Sequence, residues 1–224
     1  MTYAEFLEEL QAHAEEDFAT FQKRLIFTQA KILGVRTPTL RKLAKKYAKN
    51  VDELMNFPDE YYEVTFVKLC AVSLLKYEEF LLYIDRSVAL IDNWATCDTF
   101  KPKCLIKRKD EFLPYIEKFF SQGGEFYERY ALVTLLFYYI EEKYLPMIAD
   151  YISRADTGKY YVHMATAWLV AEILVKFPEK GKEILKSGVL PPKTHNKAIQ
   201  KAKESFRVKE EEKEYLNSLK IKNV

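Results

Sequence analysis

Glycine is scarce in this chain, at 6 residues in 224, and prolines number only 8. Turn-dense β-sandwiches and barrels need more punctuation than that, so an all-β fold is not expected. Long apolar runs are missing as well. The longest, Ala131 to Ile140, spans ten residues with Thr134 inside it. That falls well short of the ~20 that cross a bilayer, so it reads as a core helix. The opening Met1-Thr2-Tyr3-Ala4-Glu5 has neither the basic nor the apolar segment of a secretion signal. The three cysteines, Cys70, Cys97 and Cys104, are an odd number without framework spacing, which fits reduced thiols. Cys97 and Cys104 stand seven apart with no histidine nearby, which argues against zinc. Together these absences point to a soluble, cytoplasmic protein. Net charge is nearly absent too: 35 basic residues against 33 acidic leave +2.

What is present is helical periodicity. A hydrophobic content of 49% allows a sizeable core. Thr2 and Glu5 form a capping box ahead of Phe6, Leu7 and Leu10. Thr37-Pro38 reads as an N-cap followed by a proline at the first helical position, after which Leu40, Leu43, Ala44 and Tyr47 make one apolar face. Further helices are predicted over 15–28, 59–75, 78–91, 94–107, 109–120, 124–138, 141–153, 159–176, 179–187, 193–204 and 208–219. The breaks between them, at Gly34, Pro58, Gly123-Gly124, Gly158, Pro178 and Gly188 to Pro192, are short and evenly spread. No linker divides the chain, so residues 1–224 are expected to form one domain. A dozen short helices in hairpins fit a solenoid of HEAT-type pairs, whose repeat is about 40 residues. An irregular bundle would share the same periodicity.

Charge carries information once it is divided along the chain. Residues 1–17 hold six acids and no base, and residues 18–51 hold nine bases and no acid. Residues 52–92 carry a net −6, residues 93–109 +4, residues 110–158 −5, residues 159–209 +7 and the tail −1. Three basic segments alternate with acidic ones, and in a solenoid they can converge on one concave face. A basic face on a near-neutral protein is the footprint of a polyanion-binding surface.

Two positions in the second basic segment stand out. Trp94 lies four residues before Asp98, so on a helix the indole and carboxylate share a face. Asp98 is the one acid between Asn93 and Lys109, and such a carboxylate opposes polyanion binding unless it has a separate task. The plainer alternative makes Asp98 a helix cap or an ion-pair partner of Lys101, and Trp94 a core residue. Arg129 opens a strongly apolar stretch 35 residues after Trp94, and Trp168 follows 39 residues later, each step near one helical repeat. His13, His163 and His195 are scattered, with no partner at ligand spacing, and read as structural. There is no P-loop, dinucleotide fingerprint or nucleophile elbow.

These residues resemble the AlkD-like DNA alkylation repair family of HEAT-like alkylpurine DNA glycosylases. The resemblance is carried by Gly34 to Leu43 (GVRTPTLRKL), Trp94 to Asp98, Glu128-Arg129-Tyr130-Ala131, Tyr160 to Glu172, and Asn196 to Lys201. It implies an all-α, right-handed superhelical α-solenoid of HEAT-like helix pairs with a basic concave face. It also implies a catalytic carboxylate at Asp98, active-site indoles at Trp94 and Trp168, and a cleft arginine at Arg129. Arg36, Thr37, Arg41, Lys42, Lys45, Lys101, Lys103, Lys197 and Lys201 would contact DNA. The implied partner is duplex DNA containing alkylated purines, handled by a monomer without metal, cofactor or membrane. One departure is visible: where the family pattern has a second aromatic beside the first tryptophan, this chain has Asn93, which bears on the shape of the lesion pocket.

The residue types agree with that chemistry. Alkylation at N3 of adenine or N7 of guanine makes the base cationic and a good leaving group. The two-carboxylate arrangement of ordinary glycoside hydrolysis is then unnecessary. One carboxylate can stabilise an oxocarbenium-like sugar and position water, and indole faces favour positive charge. Many base-modifying enzymes extrude the nucleotide; the resemblance implies instead a shallow cleft reading backbone and sugar. The competing reading is a non-catalytic helical-repeat protein that binds DNA structures or a protein partner.

Overall fold

Thr2 caps the first helix as expected: its hydroxyl accepts from the Glu5 amide at 3.3 Å and the Glu5 carboxylate accepts from the Thr2 amide at 2.7 Å. The computed structural model describes residues 2–222. Fourteen α-helices follow one another among them: α1 (Tyr3–Gln11), α2 (Glu16–Lys23), α3 (Thr37–Tyr47), α4 (Val51–Met55), α5 (Tyr62–Val72), α6 (Tyr77–Ala89), α7 (Trp94–Thr99), α8 (Lys109–Gln122), α9 (Glu125–Tyr138), α10 (Leu145–Arg154), α11 (Tyr160–Lys176), α12 (Pro178–Lys186), α13 (Pro192–Glu204) and α14 (Glu210–Ser218). Single 3₁₀ turns occur at Ala48–Asn50, Lys103–Lys107 and Glu142–Tyr144. No strand is present among the described residues; the one β-like feature is an isolated parallel bridge between Lys31 and Tyr61.

Several predicted boundaries move. The stretch 15–28 is helical only to Lys23, because residues beyond it give their polar groups to distant partners. The Leu25 carbonyl accepts from the Trp94 indole and Lys31 bonds on both sides to the chain at Glu60 and Tyr62. The stretch 59–75 begins at Tyr62, after Pro58, with the short α4 before it. Pro102 ends the stretch 94–107 at Thr99, since a proline lacks the amide and disfavours helix at the residue before it. Thr37 is the first residue of α3 rather than its cap; Arg36 takes the cap position without a side-chain bond, and Pro38 follows inside the first turn.

The chain divides into two compact units, residues 1–110 and 111–224. In the first, α5 packs against α3, α4, α6 and α7. It is apolar on nearly every side and almost wholly buried, as a central helix must be. The face predicted for α3 is the one that packs: Leu40, Leu43 and Ala44 are buried with Phe6 and Leu10 of α1. In the second unit, α11 is the central helix, with α9, α12 and α13 against it. Alternate helices lying side by side, α3–α5–α7 in one unit and α9–α11–α13 in the other, are the packing pattern of stacked helix hairpins.

Carboxylates on α5 and α9 accept from backbone amides distant in the chain. Glu63 of α5 is fully buried and its Oε1 accepts from the amides of Leu33 (3.1 Å), Gly34 (2.8 Å) and Val35 (3.4 Å). Gly34 has a positive φ of 83°, and a Cβ there would stand 2.2 Å from the Glu15 carbonyl oxygen, so only glycine fits. The GVRTP segment is thus a backbone turn clamped by one carboxylate. In the second unit Glu125 and Glu128, from the first turn of α9, accept from the amides of Tyr161 and Asp156, each at 2.6 Å.

Candidate active site

The short helix α7 exists because Asn93 starts it. The Asn93 side chain is buried; its oxygen accepts from the amides of Ala95 and Thr96 at 2.9 and 3.0 Å, and its nitrogen donates to Asp92 at 2.6 Å. Asparagine is among the best N-cap residues. An aromatic there would leave two helix amides unmet, so the departure at Asn93 has a local structural reason. Thr28 donates to Asp92 in turn, fastening the segment after α2 to the same helix start.

One turn along α7 from Trp94, Asp98 is half-buried. The two border a cavity of about 310 Å³ whose walls include Phe18, Phe21, Leu25, Tyr62 and Phe66. Trp94 is 38% exposed and its indole N–H donates to the Leu25 carbonyl at 2.9 Å, which fixes the ring plane. Gln22, Thr37, Arg41 and Thr99 are the other polar residues that line it. Lys101 feels the same carboxylate. Partial desolvation against the protein surface pushes its ammonium below the ordinary lysine range, Asp98 holds it up, and Arg41 adds to the downward push. The arrangement is a carboxylate set among cations at the mouth of an aromatic-lined cavity.

The other basic residues expected to meet DNA divide into two groups. Arg41, Lys42, Lys45, Lys101 and Lys103 are exposed. Arg36 is engaged: its guanidinium pairs bidentately with Glu15 at 2.7–3.1 Å and lies 3.9 Å over the Phe18 ring. Lys46 pairs with Glu9 in the same way. Part of the charge alternation along the chain is therefore neutralised within the fold, the acidic first block against the basic second.

In the second unit Arg129 of α9 is only 4% exposed. It donates to the Tyr161 carbonyl at 3.0 Å, with its guanidinium 5.8 Å from the Tyr161 ring centroid. Trp168, two turns along α11 from Tyr161, is half-buried and meets Phe137 edge-to-face at 5.7 Å. Along α13, Lys193, Lys197 and Lys201 recur every fourth residue and so share a face.

His163, read as structural from sequence, lies near those lysines and bonds to the Thr194 hydroxyl at 2.9 Å. Burial lowers its pKa first, and Lys197, Lys193 and Lys201 lower it further. A depressed histidine stabilises the fold fully above its unfolded value of about 6.5 and loses that contribution as pH falls from there through the lowered folded value. His163→Gln should flatten the loss of melting temperature on acidification below pH about 6.5; an unchanged acid limb would show that burial and the lysines together do not depress His163. His195, by contrast, is buried and bonds the Leu219 carbonyl at 2.8 Å, a structural role as expected.

Gln22 is a further residue at the cavity that sequence reading passed over. It lines the same space as Trp94 and Asp98, and its amide oxygen is buried without a hydrogen-bond partner. No group of three or more metal-ligating side chains occurs among the described residues, and no helix there is long and apolar enough to cross a membrane.

The fold and site together define an all-helical protein that presents a carboxylate–indole pair beside exposed cations. The chain belongs to the family of DNA alkylation repair enzymes, which matches it over residues 6–202. That span runs from Phe6 in α1 into α13 and includes Trp94, Asp98, Arg129, Trp168, Lys197 and Lys201. No curated protein matches the chain.

Proposed function

We propose that this protein is a DNA glycosylase that hydrolyses the N-glycosidic bond of cationic N3- and N7-alkylpurines in duplex DNA, opening base excision repair. The observation that carries the reading is Asp98: a half-buried carboxylate one helical turn from Trp94, at an aromatic-lined cavity that Arg41 also lines, with Lys101 within its electrostatic reach. The carboxylate faces the positive charge that grows on the sugar as the bond to the base breaks, and it takes a proton from the water that attacks C1′. The bonding electrons return to the cationic ring, so the base leaves neutral and no acid is needed to protonate it. The Trp94 face stabilises the same charge. The family resemblance adds Trp168 as a second indole and Arg129 as a phosphate contact; Arg129 is only 4% exposed and donates to the Tyr161 carbonyl, so such a contact requires its side chain to rearrange. The chemistry asks for neither a metal nor an organic cofactor.

The direct experiment is incubation of the purified protein with duplex containing N7-methylguanine and measurement of the released base. Release from that duplex, with uracil left in place on a matched one, is the expected result. Rapid uracil release would mean that a leaving-group acid operates, which a mechanism resting on one carboxylate does not contain.

The exposed lysines of α3 make a second expectation. Affinity for duplex should fall with salt at a log–log slope of about −0.9 per phosphate neutralised. Replacing Lys42 and Lys45 by alanine should weaken all duplexes alike and flatten the slope by about 2. Affinity independent of salt would remove the DNA-binding assignment.

A further inference from the structure

The chain that joins α2 to α3 carries charge and apolar surface that the carboxylate chemistry leaves unused. Past Lys23 it is no longer helical, and its side chains alternate as in an extended segment. Ile26 is buried, while Leu25 and Phe27 on either side of it are 47% and 71% exposed. Leu25 and Ile26 line the cavity of Trp94 and Asp98; Ile26 and Phe27 line a second hollow of about 670 Å³, with Lys23, Lys31, Tyr61 and Asp92. Residues 25–27 are therefore a ridge between two hollows, and the ridge is fastened. The Leu25 carbonyl accepts from the Trp94 indole at 2.9 Å, the Thr28 hydroxyl donates to Asp92, and the Lys31 amide donates to the Glu60 carbonyl at 2.9 Å. Its outward-facing ring is held in place rather than loosely tethered.

The charges beside it are uncommitted. Arg36 and Lys46 are matched by Glu15 and Glu9, but Lys23, Arg24 and Lys31 are exposed and enter no ion pair among the described residues. The acid in the second hollow, Asp92, has its carboxylate taken up by Thr28 and Asn93. A single exposed aromatic is ordinary; one held on a fixed ridge among three free cations calls for a partner that meets both. A nucleic-acid backbone does so, with phosphates for the cations and the C–H faces of its sugars for the ring. We infer that residues 23–31 are a second duplex-contacting element, in which Lys23, Arg24 and Lys31 meet phosphates and the Phe27 ring lies against deoxyribose. This contact rests on the DNA-binding part of the glycosylase reading and deepens it. Contacts to phosphate and sugar position a duplex without reading its sequence, and the bases stay stacked. Because the ridge is bonded to Trp94 and, through Asp92, to the Asn93 cap of α7, a duplex seated on it is set in register with Asp98.

The test uses the full chain, an undamaged duplex and a matched one containing N7-methylguanine. Phe27→Ser should weaken affinity for both about tenfold, the scale of uncovering one aromatic side chain, and leave the salt slope unchanged because no cation is lost. Lys23→Gln combined with Lys31→Gln should flatten the log–log salt slope by about 2, one phosphate for each lysine. In single-turnover excision Phe27→Ser should need about tenfold more protein to reach the half-maximal rate. Its saturated rate should stay that of the wild type, since a contact made equally with substrate and transition state does not alter the chemical step. Both variants should melt at the wild-type temperature, because the replaced side chains are exposed. Wild-type affinity and slope in the two variants would overturn the inference. A lower melting temperature for Phe27→Ser, or a lower saturated rate at normal affinity, would assign the ring to the fold around Trp94 and overturn it as well. Excision together with wild-type binding in both variants leaves the glycosylase standing and removes the ridge. Ridge-dependent binding of the undamaged duplex without excision keeps the ridge and removes the glycosylase.

Discussion

Asp98→Asn should slow release of N7-methylguanine by at least about 10²-fold, equivalent to ~2.7 kcal/mol, the scale of losing one preorganised electrostatic contact. Asparagine keeps the size and one acceptor oxygen of the aspartate and removes only the charge. Duplex binding should be unchanged or tighter, because a negative charge has left the surroundings of Arg41 and Lys101. The structure sharpens the contrast with a purely structural Asp98. The cap of α7 is Asn93, and Asp98 sits in the last turn of that helix, where a negative charge opposes the helix dipole. Losing it should therefore cost stability by no more than about 1 kcal/mol. Single-turnover excision and thermal melting on one preparation distinguish the two roles. An active, normally binding Asp98→Asn protein would end the catalytic assignment.

Glu63→Ala should be far more destabilising than Asp98→Asn, by about 3 kcal/mol or more, since it strands buried amides at a cost of roughly 1–3 kcal/mol each. The donors left without the carboxylate are the amides of Leu33, Gly34 and Val35, and the turn they form sets the start of α3. For a chain of this size the melting temperature should drop by roughly 6–12 °C, at about 2–4 °C per kcal/mol. Glu63→Gln retains an acceptor oxygen and should lose markedly less. A melting temperature within a degree of wild type for Glu63→Ala would show that water replaces the carboxylate and that the clamp is not what holds the turn. Because α3 carries Thr37 and Arg41 to the rim of the Asp98 cavity, the same substitution should lower excision without touching a reacting group.

Much of this protein is legible in its sequence because helices are written locally. Spacing of three and four residues marks the buried face of α3, and the Thr2–Glu5 box marks the start of α1. The same local rule places Trp94 and Asp98 on one face of a helix, and the order of short segments is enough to indicate the family that matches residues 6–202. The scarcity of glycine and proline points to the fold class before any element is assigned.

What only the tertiary structure decided lies in contacts between residues far apart in the chain. The Trp94 indole meets a carbonyl 69 positions away, and the Gly34 amide meets a carboxylate 29 positions away; neither partner is encoded in any local spacing. That is why α2 stops at Lys23 although its pattern runs on, and why Arg36, expected from sequence to meet DNA, is held by Glu15. It is also why His163 lies under the influence of a lysine face and Arg129 sits beneath Tyr161. Gln22 illustrates the limit best. As one polar residue on an eight-residue helix it looks like solvent-facing surface, and only the tertiary structure shows that it is buried. Helical periodicity specifies which face turns inward; the polar group that such a face carries into the interior acquires its meaning from whatever the rest of the chain packs around it.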